Sequence, residues 1–329
     1  MNYAGRKVLV TGAGGFIGSH LTEALVREGA SVTAMVRYNS SGDRGMLAQL
    51  APEMRAEIKI VSGTVDDSDF VMSAVAGHDI VFHLAALIAI PYSYLAPRSY
   101  VRTNVEGTLN VLEAARRLGT SRVVHTSTSE VYGTALRTPI DEDHPLQGQS
   151  PYSASKIGAD KIAESYHRSF GVPVTTVRPF NTYGPRQSNR AFIPTIISQA
   201  LSRDTIMLGA LDPERDMTFV TDTAAGFLRA GLAEGVEGET CNLGCGETHS
   251  IGWFAERILA LMGVDKPIRV DSARIRPAAS EVKKLISDNS RAKARLGWEP
   301  TTSLDDGLNA TIDYLRENIE SYRSDEYGV

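Results

Sequence analysis

Lys7-Val8-Leu9-Val10-Thr11-Gly12-Ala13-Gly14-Gly15-Phe16-Ile17-Gly18 decides the fold of this 329-residue chain. A short apolar strand runs into a glycine turn, and Ile17, Leu21, Ala24 and Leu25 then recur at helical spacing as far as Glu28. In such a strand-turn-helix Gly12 permits the tight turn and Gly15 lets the backbone approach a pyrophosphate. Gly18 allows the helix to pack closely on the strand. The helix start, with Phe16 and Ile17 in its first turn, offers amide donors and a partial positive charge to phosphate. The stretch reads as a dinucleotide-binding site.

Working outward, strand patterns at Val32–Val36, Ile58–Val61, Ile80–Leu84, Arg122–Thr126 and Val174–Arg178 alternate with helical ones. The clearest helices span Asn104–Leu118 and Tyr152–Phe170. This alternation predicts an α/β fold, a doubly wound parallel sheet covered on both faces. After Pro179 the rhythm loosens into turn-rich stretches around a helix at Pro194–Ser202. The chain divides into a dinucleotide-binding domain over 1–180 and a smaller C-terminal substrate lobe over 181–329. The two are expected to interleave, because no flexible linker separates them.

Composition narrows the function classes. At 42% hydrophobic and 22% charged residues the chain is ordinary globular material, and a net charge of −5 gives no basic field for nucleic acid. No secretory signal pattern opens it, and no apolar run approaches the ~20 residues of a membrane span. A cytoplasmic protein with no membrane partner is expected. Cys241 and Cys245 read as two buried thiols of one strand in a reducing compartment, and no His or Cys cluster accompanies them, so no metal is expected.

The chemistry sits in Thr128-Ser129-Glu130 at a strand end and in Tyr152-Ser-Ala-Ser-Lys156, 24 residues later. Tyr152 and Lys156, at i and i+4, share one helix face. A cationic Lys156 is expected to lower the phenol from its usual ~10, so that Tyr152 takes a hydroxyl proton while hydride passes to a nicotinamide. Cofactor choice rests on Met35-Val36-Arg37-Tyr38-Asn39-Ser40, where the second strand ends without an acid. Arg37, Asn39 and Ser40 suit a 2′-phosphate, which favours NADP over NAD; the alternative is an Arg37 that stacks on adenine or is solvated. His83 and His125 read as core histidines, and Tyr92 and Tyr94 as shaping a sugar pocket. Phe192 and Pro194 suit either a nucleobase pocket or the core.

These residues carry a resemblance. Thr-Gly-Ala-Gly-Gly-Phe-Ile-Gly at 11–18, His83-Leu84-Ala85-Ala86, Asn104-Val-Glu-Gly-Thr108, Ser127-Thr-Ser-Glu-Val-Tyr-Gly133, Tyr152-x-x-x-Lys156, Arg178-Pro-Phe-Asn181, Tyr183-Gly-Pro-Arg186 and Leu296-Gly-Trp298 span nearly the whole chain in order. The chain resembles the sugar-nucleotide epimerase/dehydratase family of extended short-chain dehydrogenase/reductases. The resemblance implies a tightly held, recycled nicotinamide cofactor with Leu84, Ala85, Ala86 and Asn104 beside it. It also implies a nucleotide-sugar substrate, with Asn181, Arg186, Arg215 and Arg276 as its contacts, and a homodimer formed by helices 100–118 and 152–170. Within the family Thr-Ser-Glu resembles the 4,6-dehydratases. Glu130 would serve as base at C5 and acid at the C6 oxygen, with Thr128 on the C4 oxygen. Ser129 stands where dTDP-glucose dehydratases have Asp, which points towards GDP-mannose or UDP-N-acetylglucosamine dehydratases. UDP-glucuronate decarboxylase and 4-epimerase are the enzymatic alternatives, and a cofactor-sensing regulator the non-enzymatic one.

Overall fold

The computed structural model describes residues 2–274 and 282–322. Seven strands form its central sheet: β1 (Lys7–Thr11), β2 (Ser31–Arg37), β3 (Lys59–Gly63), β4 (Ile80–His83), β5 (Arg122–Thr126), β6 (Val174–Pro179) and β7 (Thr240–Leu243). They lie in the order β7-β6-β5-β4-β1-β2-β3 with every pairing parallel. This is the expected Rossmann-type α/β fold. The strand order reverses between β1 and β4, and a crevice opens at the carboxyl ends there. Thr11 sits level with His83 in that pairing, which brings the glycine turn against the end of β4.

The strands are buried on both faces, and their side chains alternate between two cores. Leu9, Met35, Val81 and Val123 face α2 (Gly107–Leu118) and α3 (Pro151–Phe170). Val8, Val10, Phe82 and Val124 face the other way, onto a core shared with Leu21 and Leu25 of α1 (Phe16–Arg27). α3 starts at Pro151 because Ser150 and Ser153 form a reciprocal capping box, and it ends at left-handed Gly171. The helix expected to begin at Asn104 extends back through a π-helical stretch, Val101–Glu106, before α2. Asn104 falls inside that wide turn and is fully buried.

Beyond Pro179, α4 (Phe192–Ser202) packs with Tyr183, Phe254, Ile258, Leu308 and Ile312 in a second core. The chain also returns to the first sheet. β7 adds to its edge beside β6, and α5 (Val220–Leu232) covers the face opposite α2 and α3 with Phe227 and Leu228. Cys241 lies on β7 as expected. Cys245 lies past the strand end, where its thiol donates to Asp216 Oδ1 at 3.0 Å. Among the described residues no helix is long and apolar enough to cross a membrane, and no cluster of three His, Cys, Asp or Glu could hold a metal ion.

Candidate active site

A cleft of about 890 Å³ runs along the carboxyl ends of the strands. It begins at the glycine turn and α1, passes Leu84, Ala85 and Ala86, and ends among Thr128, Glu130, Tyr152, Lys156 and Asn181. Gly12 holds φ at +71°, and a Cβ there would lie 2.7 Å from the Ala85 nitrogen, so only glycine lets the turn meet β4. Thr11 Oγ1 accepts from that same Ala85 amide at 3.1 Å. A buried relay continues from it. The Thr11 hydroxyl donates to His83 Nδ1 (2.9 Å), His83 Nε2–H to Thr108 Oγ1 (3.1 Å), and the Thr108 hydroxyl to Asn104 O (2.6 Å). Burial, then the neighbouring His125 and Lys156, hold His83 well below its ordinary pKa and hence neutral. Asn104 lies behind the cleft. Its side chain accepts from the Leu87 amide (2.8 Å) and donates to Leu87 O (3.0 Å), so it shapes the wall without facing a ligand.

The N-terminus of α1 fits a pyrophosphate. Gly15 caps it without a side chain, and its first turn carries no acidic residue, so the amides and the dipole stay directed into the cleft. The other end of the cleft fits a nicotinamide and its partner substrate in having an acid/base set. Thr128, in extended backbone, caps a short 3₁₀ turn (Ser129–Tyr132) by accepting from the Glu130 amide at 3.2 Å. The turn aims Glu130 into the cleft and buries Ser129 beneath it. Ser129, expected among the catalytic groups, does not line the cleft.

Tyr152 hydrogen-bonds Thr128, but its phenol does not sit where the sequence predicts. Burial pushes its pKa well above 10; the Thr128 hydrogen bond opposes this and the Glu130 charge adds to it. Lys156 is buried too. Its ammonium donates to Thr126 O at 2.6 Å, and burial brings its pKa down to about 8 against the opposing charge of Asp160. With both groups desolvated, the polypeptide leaves the phenol protonated.

The adenosine end departs further from expectation. Arg37 and Asn39 both line the cleft, although the Asn39 amide is engaged within its own loop: Nδ2 donates to Asp43 O (2.9 Å) and Oδ1 accepts from the Asp43 amide (2.8 Å). Ser40 is exposed and outside the lining. Asp43 and Arg44 line the cleft as well. They are brought there by a latch in which the Met46 amide donates to Gly14 O at 2.9 Å. Gly45, at φ +60°, lies so close that a Cβ would run into the Gly14 carbonyl. The paired Gly14 and Gly45 were the available sequence signal for this loop.

The expected substrate contacts divide. Asn181 lines the cleft, as does Tyr92, whereas Tyr94 does not. Arg186 is committed to α1, donating to Glu23 Oε2 (2.5 Å) and to His20 Nδ1 (2.8 Å), while His20 Nε2–H donates to Pro185 O (2.9 Å). Arg215 is buried in a small sheet beside His249 and Leu285, outside the cleft lining. Arg276 lies outside the described residues. Phe192 and Pro194 belong to the second core and its helix. Sequence reasoning missed Asp160, a fully enclosed carboxylate behind Lys156, because an acid on a long helix reads as a solvated one.

Comparison with known proteins agrees with this geometry. Residues 9–311 match the family model described as GDP-mannose 4,6 dehydratase. The chain belongs to the sugar-nucleotide epimerase/dehydratase family of extended short-chain dehydrogenase/reductases. Relatives in this family include a UDP-glucose 4-epimerase of Mycolicibacterium smegmatis, 32% identical over 95% of this chain and 100% of that protein. A dTDP-glucose 4,6-dehydratase of Streptomyces niveus is 33% identical over 95% of this chain and 93% of its own length. The crystal structure of DesIV, a dTDP-glucose 4,6-dehydratase of Streptomyces venezuelae solved with NAD bound, superposes with a TM-score of 0.87 at 30% identity. It covers 96% of this chain and 99% of DesIV. Family members therefore catalyse different reactions on one scaffold, and the residues at the reacting end of the cleft must tell them apart.

Proposed function

We propose that this chain is a nucleoside-diphosphate-sugar 4,6-dehydratase whose substrate is a UDP-N-acetylhexosamine or a GDP-sugar. The observation that carries the reading is Glu130. It is a carboxylate in the same cleft as Thr128 and Tyr152, near enough to the phenol to influence its titration. A 4-epimerase needs only an acid/base at O4, whereas elimination needs a second group to take the C5 proton and protonate the C6 oxygen. Held by the glycine turn and the N-terminus of α1, an oxidised dinucleotide would supply an acceptor for the C4 hydride, which it would give back at C6, and a positive charge that favours the phenolate form of Tyr152. As the phenolate, steadied by Lys156, Tyr152 takes the proton of O4 while Thr128 orients the C4 oxygen. Glu130 carries the C5 proton to the departing O6, which leaves as water, and the proton held on Tyr152, exchanged with solvent, balances the one C5 regains as C6 is reduced. Decarboxylation would need a cation for a C5 carboxylate. Among the described lining residues the cations are Arg37, Arg44 and Lys156, and the first two sit at the adenosine end.

On the same reading residues 1–180 hold the cofactor and 181–329 the sugar nucleotide, in a cytoplasmic enzyme. NADP is the preferred cofactor, with Arg37 and Arg44 supplying two guanidiniums for a 2′-phosphate and Asp43 tied to the Gly45 amide at 2.8 Å. A homodimer forms through the helices 100–118 and 152–170, where Val101, Leu109 and Phe170 stand exposed.

The test is mass spectrometry of UDP-N-acetylglucosamine, GDP-mannose, UDP-glucose and UDP-glucuronate incubated with the protein in deuterated water. A product lighter by one water with deuterium at C5 is the expected result. Carbon dioxide loss, or an isomer of unchanged mass, overturns it.

A further inference from the structure

Behind the reacting end of the cleft, one carboxylate ties together three elements that each present a working group. Asp160 lies one helical turn after Lys156 and two after Tyr152, on the same face of α3, and is buried. Its Oδ2 accepts from Ser127 Oγ (2.8 Å) and from Arg178 Nε (3.2 Å) and Nη2 (3.0 Å), while Oδ1 accepts from His125 Nε2 (3.1 Å). Ser127 immediately precedes Thr128, so the bond at 2.8 Å fixes the strand end that aims Thr128 and Glu130. Arg178 is held in turn by Tyr132, its Nη1 donating to the phenol oxygen at 2.9 Å, and Tyr132 donates to Asn242 Oδ1 (2.7 Å). The carboxylate therefore joins α3, β5 and β6, and through Tyr132 the 3₁₀ turn that carries Glu130.

We propose that Asp160 is a positioning residue: it locks the Thr128–Glu130 strand end to the Tyr152–Lys156 helix face and keeps Lys156 charged. The proposal rests on the roles assigned above to Tyr152 and Lys156. Four donors surround the carboxylate, so it is not there for want of an alternative, and an unpaired buried charge would be costly. Burial would raise the Asp160 carboxyl, but the His125 hydrogen bond and then the charges of Arg178 and Lys156 hold it at about 2. Around Lys156 the facing groups are Tyr152 and Asp160 on its own helix, His83 on β4 and His125 on β5, and Arg178 on β6 meets it only through Asp160. Both histidines are pushed down by burial and are neutral near pH 7. Asp160 is thus the negative charge that opposes desolvation of Lys156.

Asp160→Asn tests this by two readouts. ¹⁵Nζ-lysine NMR of the full chain, with the Lys156 resonance assigned from Lys156→Met, follows its titration without any nucleotide sugar. The midpoint should fall by about one pH unit from the wild-type value. The alkaline limb of kcat should move down with it, with kcat at neutral pH lower by roughly tenfold to a hundredfold and KM nearly unchanged. An unmoved Lys156 midpoint overturns the proposal, as does a kcat limb that stays in place while the melting temperature drops. Should Asp160→Asn not fold, Arg178→Gln tests the same coupling with opposite sign: removing the competing cation should raise the Lys156 midpoint, and a fall or no change overturns the proposal. Absence of turnover by wild-type protein on every nucleotide sugar would remove the dehydratase reading, while the NMR result would still decide the coupling.

Discussion

Glu130→Gln isolates elimination from oxidation. The substitution keeps size and shape, and the local backbone depends on the Glu130 amide bonded to Thr128 Oγ1, not on the carboxylate, so the 3₁₀ turn should survive. Removing the charge also relieves one of the influences that raise the Tyr152 phenol, so proton removal at O4 should be no harder than in wild type. What disappears is the one group assigned to both C5 deprotonation and O6 protonation. A single positioned acid/base contributes roughly 10²–10⁴-fold, and a group serving both transfers belongs near the middle or top of that range. Loss of about 10³-fold in dehydration corresponds to ~4 kcal/mol of transition-state stabilisation. The assay is product mass together with deuterium at C5 in deuterated water, alongside dinucleotide affinity and melting temperature, both of which should stay at wild-type values. Dehydration within tenfold of wild type, with C5 exchange intact, would refute the role of Glu130.

Other expectations address separate parts of the molecule. Arg37→Ala combined with Arg44→Ala should weaken NADP binding by tenfold or more and change NAD binding little; equal loss of both would mean the guanidiniums do not read a 2′-phosphate. His20 has its pKa lowered to about 4, by burial and then by the Arg186 charge. The folded chain therefore resists a proton that the unfolded chain accepts near 6.5, so this stabilisation is complete above 6.5 and is lost as pH falls towards 4. Urea melts of wild type and His20→Gln between pH 7 and 4 should converge as pH drops, and parallel curves would contradict the assignment. Val101→Glu with Leu109→Glu should halve the mass seen by light scattering if these exposed residues lie in a dimer seam.

Much of this was legible in the sequence because the informative residues are bound by local rules. A strand feeding Gly12 to Gly18 has few structural solutions, and β-rich runs alternating with helices allow little but a parallel sheet. Tyr152 and Lys156 share a face because helical geometry requires it. The rest was set by tertiary placement. Nothing local says that Asn39 folds back on Asp43, that Arg44 enters the cleft, or that Arg186 turns away to grip His20 and Glu23. The phenol of Tyr152 was misjudged for the same reason. Proximity to a cation can be inferred from i, i+4 spacing, but the desolvation that outweighs it depends on what surrounds the pair.

The return of β7 and α5 to the first sheet bears on how the chain comes off the ribosome. When residue 180 has been made, β6 is an open edge with unpaired amides and carbonyls, and the apolar side of Val8, Val10, Phe82 and Val124 lacks the helix that later shields it. Some sixty further residues must emerge before Cys241 and Leu243 can pair beside Val177 and Pro179. A nascent chain in that interval offers a sticky sheet border and a greasy face that α1 covers only in part, the two features that invite misassembly and holding by chaperones. For the same reason the first 180 residues depend on a strand and a helix supplied from residues 220–243, and a fragment cut at 180 would expose that border and that face.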